Sequence, residues 1–145
     1  MTVHLVKLCV GVDSIDDLER YRARVKAAAD KRGETWQSTH VTRMSPKRAD
    51  EILDGGSLYW VIKRVIQVRQ RIIDLKEVVG DDGIKRCAIV MDNELIRTGP
   101  AMRRPFQGWR YLKPEDAPAD LSDPAAGGAD LPAELRRKLL EIGAW

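Results

Sequence analysis

The sequence predicts an α+β domain: a small, mostly antiparallel curved sheet or barrel flanked by a helix over residues 14–32, a short helix over 46–53 and a C-terminal helix. Three observations carry this. The stretch SIDDLERYRARVKAAADKRG has the caps and the apolar spacing of a helix. The stretch LYWVIKRVIQVRQRIIDLKEVV is rich in Val and Ile, lacks Ala and sits between GG and GDDG. The 145 residues are 43% apolar and 32% charged, a globular balance for a chain of single-domain length.

VHLVKLCVGV opens the chain as a first strand, β-branched and without a breaker until Gly11. Ser14 then begins an S-x-x-D capping pattern with Asp17. Ile15, Leu18, Tyr21, Val25 and Ala29 recur at spacings of three and four, a stripe for packing. Acidic residues crowd the start, Lys31 and Arg32 the end, and Gly33 closes the helix, all in keeping with its dipole. STHVTRM alternates and reads as a second strand. SPKRADEILDGG reads as a short helix capped by Ser45, with Pro46 at its first position. That would put Lys47 and Arg48 in the first turn, where they oppose the dipole, a broken local rule of the kind found at sites.

In LYWVIKRVIQVRQRIIDLKEVV the apolar residues fit both a helical and a strand period. Composition and the flanking glycines favour two strands, or one long bent strand, with a bulge near Ile72 and Ile73 where the apolar parity shifts. GDDG (80–83) is a hairpin turn into the strand IKRCAIVMD. A short strand ELIRT follows, then RRPFQGWRYL as loop and final strand. The expected organisation is one core domain over 1–113, a Pro/Gly/Asp-rich linker over 114–131, ordered weakly if at all, and a helix over 132–145.

No apolar run approaches the roughly 20 residues of a membrane span. The N-terminus has no basic lead and no cleavage site, so it does not read as a signal peptide. Cys9 and Cys87, with no CxxC, read as buried reduced thiols, which favours a cytoplasmic location. No metal and no cofactor is expected: the two histidines, His4 and His40, have no ligand spacing, and no phosphate-binding or nucleophile-elbow motif is present.

The net charge of +3 is uneven. Residues 36–113 carry 15 Lys+Arg against 9 Asp+Glu, the flanks 10 against 13. Such asymmetry suits an anionic partner, though a mixed solvated surface also produces it. Within the cationic part, RRPFQGWRYL holds three arginines and three of the eight aromatics. If 58–69 is a strand, Tyr59, Lys63, Gln67 and Arg69 share one face and Arg71 extends it. Trp109 and Tyr111 share a face, with Arg110 opposite. Flat rings and guanidinium groups hold unpaired bases and phosphates. The candidate ligand-binding residues are therefore Tyr59, Lys63, Arg69, Arg71, Arg103, Arg104, Trp109, Arg110 and Tyr111, joined by His40, Arg43, Lys47 and Arg48. The opposing reading has Phe106 and Trp109 filling core while the arginines pair with local carboxylates. His40 is the best titratable candidate, beside Arg43 in THVTRM, and a structural histidine is the alternative.

THVTRMSPKRADEILDGGSLYWVIKRVIQVRQRI, DDGIKRCAIVMD and RRPFQGWRYLKPEDAPADL together resemble a bacterial family of about this length, a conserved domain of unknown function. That resemblance brings no activity or ligand. RADEILDGGSLYWVIKRVIQVRQRI also resembles the PUA-like domains, including the ASCH and EVE groups, which are small mixed barrels, many of which bind RNA or modified bases. SLYWVIKR follows the glycines where the ASCH group has G-x-K-x-x-E-x-R. Three function classes follow: a module binding RNA, single-stranded nucleic acid or a nucleotide; a small hydrolase or transferase on a nucleotide-like metabolite, with His40 as base; and a protein-interaction domain using exposed Trp and Arg.

Overall fold

The computed structural model describes residues 2–121. The elements run β1 (His4–Leu8), α1 (Ile15–Lys31), β2 (Thr39–Thr42), α2 (Ala49–Leu53), β3 (Ser57–Ile62), β4 (Val65–Val79), β5 (Lys85–Met91), β6 (Ile96–Met102), β7 (Trp109–Leu112) and a 3-10 turn (Pro114–Asp116). Seven strands make one curved, mostly antiparallel sheet in the order β2–β5–β4–β3–β1–β7, with β6 on β4 off that path. Among the described residues only β1 and β3 pair in parallel, because the long connection through α1, β2 and α2 returns the chain in the same direction. The sheet is α+β and open. The barrel alternative does not hold, since β2 and β7 end the path without meeting.

The ambiguous stretch forms two strands joined by a two-residue turn at Lys63 and Arg64. β4 carries two irregularities. Trp60 pairs with Val68 and Val61 with Ile66, which leaves Gln67 as an extra residue. Ile72 pairs with Met91 and Asp74 with Val90, so Ile73 is pushed out and half exposed. The second is the bulge that the parity shift predicts. Each bulge exchanges the faces of the residues beyond it.

Two apolar clusters result. One, on the side of α1 and α2, contains Leu5, Leu18, Ile52, Leu58, Trp60, Val68, Ile72, Ile89 and Met91. The other, on the opposite face, contains Val6, Tyr59, Val61, Ile66 and Leu112, with Phe106 packed against it. Helix α1 is capped as predicted: Ser14 Oγ accepts from the Asp17 amide at 3.1 Å, and Asp17 accepts in turn from the Asp13 amide. Its apolar stripe, however, is only partly used for packing. Leu18 and Ala29 are buried, Val25 is half-buried, and Tyr21 is 54% exposed.

Helix α2 corrects the sequence reading. It begins at Ala49, with no side-chain cap, so Ser45 does not cap it and Lys47 and Arg48 lie in the turn before it. The reason is tertiary. The amides of Lys47 and Arg48 both donate to Tyr111 Oη on β7, at 3.0 and 3.2 Å, which fixes the chain in a turn until Ala49. β6 is also longer than ELIRT and runs through Gly99 and Pro100. The proline is tolerated because residues 98–100 lie in an irregularity opposite Gln67, where β4 needs no donor. Residues 117–121 lie along β6: Gly99 donates to Ala119 O and Leu121 to Arg97 O. The expected linker beyond 121 and the helix over 132–145 lie outside the described residues.

Candidate functional site

The sequence-predicted residues do not converge on one surface. They fall into four places.

On the second face, Tyr59 pairs with Arg69 across β3 and β4. Arg69 makes two 2.8 Å bonds to the Asp120 carboxylate and a third to Ser57 Oγ. The Arg69 hydrogen bonds hold the Asp120 carboxyl below its ordinary range. His4 Nδ1 accepts from the Ser57 amide, and its ring stands edge-on to Tyr59. This cluster latches residues 117–121 onto the sheet. Arg71 is exposed two residues further along β4.

At the β7 edge, Trp109 and Tyr111 share a face as expected, with ring centroids 4.9 Å apart. Both polar tips are engaged. Trp109 Nε1 donates to Met44 O at 2.8 Å, and Tyr111 Oη takes the Lys47 and Arg48 amides. Arg48 lies over the Tyr111 ring and pairs with Glu51. Arg43, at the start of the clamped loop, is exposed. Arg110 lies over Phe106 and donates to the Gln107 and Trp109 carbonyls. The rings thus clamp residues 44–48. Tyr111→Phe, which removes the shared acceptor, is expected to cost about 1 kcal/mol and to lower the melting temperature by roughly 3–6 °C. A thermal unfolding curve that superimposes on the parent's would show that the hydroxyl caps nothing.

Lys63, Arg103 and Arg104 lie at a third place, where the β3–β4 turn meets the segment after β6. The single-face arrangement of Tyr59, Lys63, Gln67, Arg69 and Arg71 does not form. The chain reverses at Lys63, and Gln67 is a bulge residue that donates to Ile62 O inside the sheet.

The fourth place is a groove of about 1130 Å³ between α1 and the first face of the sheet. It exists because α1 stands off the strands, leaving Tyr21 and Val25 to line a wall. Of the predicted residues only His40 lines it. Its floor is a buried hydrogen-bond chain. Trp60 Nε1 donates to Gln70 Oε1 at 2.9 Å, and Gln70 Nε2 donates to Ser38 Oγ and Asp92 O at 2.9 and 3.0 Å. The His40 ring stands edge-on to Trp60, centroids 5.3 Å apart. Burial, and then Lys7, holds the His40 pKa below its ordinary value, so the ring is neutral at neutral pH. Cys9, on the same wall, has its thiol pushed up to about 11 by burial, which keeps it protonated and a poor nucleophile.

The rim is cationic. Among the described residues, Lys7, Arg20, Arg22 and Arg24 line the groove against one carboxylate, Asp17. Arg22 lies over the Trp36 ring, 5.0 Å from its centroid, and donates to Asn93 O. Asn93 in turn holds the 36–38 segment by accepting from the Ser38 amide and donating to Trp36 O. Among the described residues, two buried side-chain polar atoms have no hydrogen-bond partner, Arg22 Nε and His40 Nε2. Both belong to groove-lining residues. Sequence reasoning missed Arg22, hidden in a helix full of charges. It also passed over Gln70, though a glutamine among valines and isoleucines was a legible sign of a buried polar partner.

Among the described residues no cluster of His, Cys, Asp or Glu could hold a metal, and no helix is long and apolar enough to cross a membrane. Comparison with curated proteins and with solved structures gives no match. Residues 5–145, nearly the whole chain, match the family described as Protein of unknown function (DUF1489), and the chain belongs to that family.

Proposed function

We propose that the protein is a binding module for a nucleotide or a nucleotide end of a nucleic acid, and that the ligand enters the groove between α1 and the sheet. One observation carries this reading: the two orphaned buried donors or acceptors, Arg22 Nε and His40 Nε2, belong to residues lining the same groove. A buried polar atom left unpaired costs roughly 1–3 kcal/mol, and a ligand oxygen or ring nitrogen that reached each of them after a small shift of its side chain would relieve both. The volume suits a ligand of nucleotide size. Trp36, Trp60 and Tyr21 offer ring surface for a base, and the cationic rim suits phosphate. The rings proposed to stack a base are thus not those of Trp109 and Tyr111, whose polar tips are engaged with the protein's own backbone.

Tryptophan fluorescence titrated with the four nucleoside monophosphates tests this, with ribose 5-phosphate as the baseless control. Quenching should saturate for at least one nucleotide. Arg22→Met should weaken that affinity by about 10- to 100-fold, the value of one charge-assisted hydrogen bond. Unchanged fluorescence at millimolar nucleotide would end the reading.

A second reading, a small hydrolase or transferase on a nucleotide-like metabolite, is favoured by one fact. His40 is held neutral beside the groove, the form a general base needs. Turnover of a phosphoester or nucleotide, lost in His40→Ala, would select it.

A further inference from the structure

The groove is not the only cationic surface. The β3–β4 hairpin turns through Lys63 and Arg64 alone, with φ of 51° and 67°. A two-residue turn of this hand is the usual place for Asn-Gly or Gly-Gly, because a β-carbon crowds the left-handed region. Two long cations there break the local rule, and such strained positions cluster where function holds them.

The tip is joined to a second basic pair. Val65 pairs with Met102, and the Arg103 amide donates to Arg64 O at 2.7 Å. Residues 63–64 and 103–104 therefore form one ridge of four cations. Among the described residues its carboxylate partner is Asp13, 3.4 Å from Lys63 Nζ, with the Asp13 side chain 75% exposed. Arg64, Arg103 and Arg104 have no such partner among them. The ridge also adjoins the groove. Asp13 lies in the β1–α1 loop, whose residues Val10, Gly11 and Val12 line the groove, and the Cys9 amide donates to Val61 O two residues before Lys63.

We propose that this ridge binds the sugar-phosphate backbone of a single-stranded nucleic acid, one nucleotide of which occupies the groove. The inference rests on the groove reading above and narrows it: the ligand is an oligonucleotide, not a free mononucleotide. Flexible cations beside a ring-lined pocket suit a strand, since phosphates are held without regard to sequence while a base is stacked. An acidic peptide would meet the ridge but has no base for the groove.

The test replaces the tip by the residues such a turn favours, Lys63→Asn with Arg64→Gly. The double variant should melt higher than the parent, because the turn is relieved, so lost binding cannot be blamed on misfolding. By fluorescence anisotropy, a labelled single-stranded octanucleotide should bind it about five- to tenfold more weakly near 100 mM salt. The log–log salt slope should shrink by about 1.4, two backbone contacts at about 0.7 each on single strands. Mononucleotide affinity should not change. Parent-like octanucleotide binding by the variant would overturn the proposal. So would an octanucleotide that binds the parent no more tightly than a mononucleotide, or one displaced as readily by polyglutamate as by unlabelled strand. If mononucleotides fail to bind while the octanucleotide still depends on the tip, the ridge stands and the groove reading alone falls.

Discussion

Gly56→Ala is expected to destabilise the domain by about 3 kcal/mol or more, near the top of what one methyl group can do. A β-carbon at residue 56 would lie 2.4 Å from both Ile52 O and Val3 O. Both are backbone atoms on constrained segments. Ile52 O already accepts from the Gly56 amide at 2.7 Å, and the Val3 amide donates to Glu51 O. Gly56 O also receives the Ile72 amide at 3.0 Å, so the residue joins α2, the chain before β1, and β4 at one point. Relief would require α2 or the β1 entry to move away, and Ile52 and Val3 are buried in the same cluster. Gly33→Ala is the control. A β-carbon there meets nothing within 4 Å, so its cost is only that of a φ of +72°, roughly 1 kcal/mol. Urea unfolding followed by circular dichroism measures both. A Gly56→Ala midpoint equal to that of Gly33→Ala would contradict the crowding argument.

Gln70→Leu should cost roughly 2–4 kcal/mol although it puts an apolar residue of similar size in a core position. Gln70 is 3% exposed and satisfies three groups: the Trp60 indole N–H, the Ser38 hydroxyl and the Asp92 carbonyl. Leucine would leave all three without this partner beneath the groove. The loss of the indole bond can be separated from the rest. In the Trp60→Phe background there is no indole N–H to orphan, so Gln70→Leu should cost about 1 kcal/mol less than in the parent. Additive costs in that cycle would show that the Trp60 bond contributes nothing. The substitution should also reach ligand binding, because Trp60 supports the His40 ring. Near-ultraviolet circular dichroism should report a less fixed indole in Gln70→Leu.

Local chemistry made much of the fold legible. Ser14, Asp17 and Gly33 bracket α1 because caps depend on a few neighbouring residues. The Val/Ile-rich run became β3 and β4, and the parity shift at Ile72 and Ile73 marked a real bulge, because alternation is a property of the strand itself. Helix α2 was misread at its start because its first amides are satisfied by Tyr111, distant in sequence. The candidate site fared differently. His40 reached the groove. Tyr59 and Arg69 went to the latch on the other face, and Trp109 and Tyr111 to the clamp. A ring beside a cation in sequence says nothing of which backbone its polar tip will meet.

The sequence by itself determined the class of the domain, the order of its elements, the hairpin turn at GDDG and the concentration of positive charge in its middle, since each follows from composition and short-range patterning. Only the tertiary structure decided that α1 stands off the sheet and opens a groove, that Arg22 and His40 line that same groove, and that Lys63 and Arg64 meet Arg103 and Arg104. The physical reason is strand register. The bulges at Gln67 and Ile73 exchange which face each later residue of β4 presents, and a hairpin closed at residues 63–64 brings cations together that lie some forty residues apart in the chain.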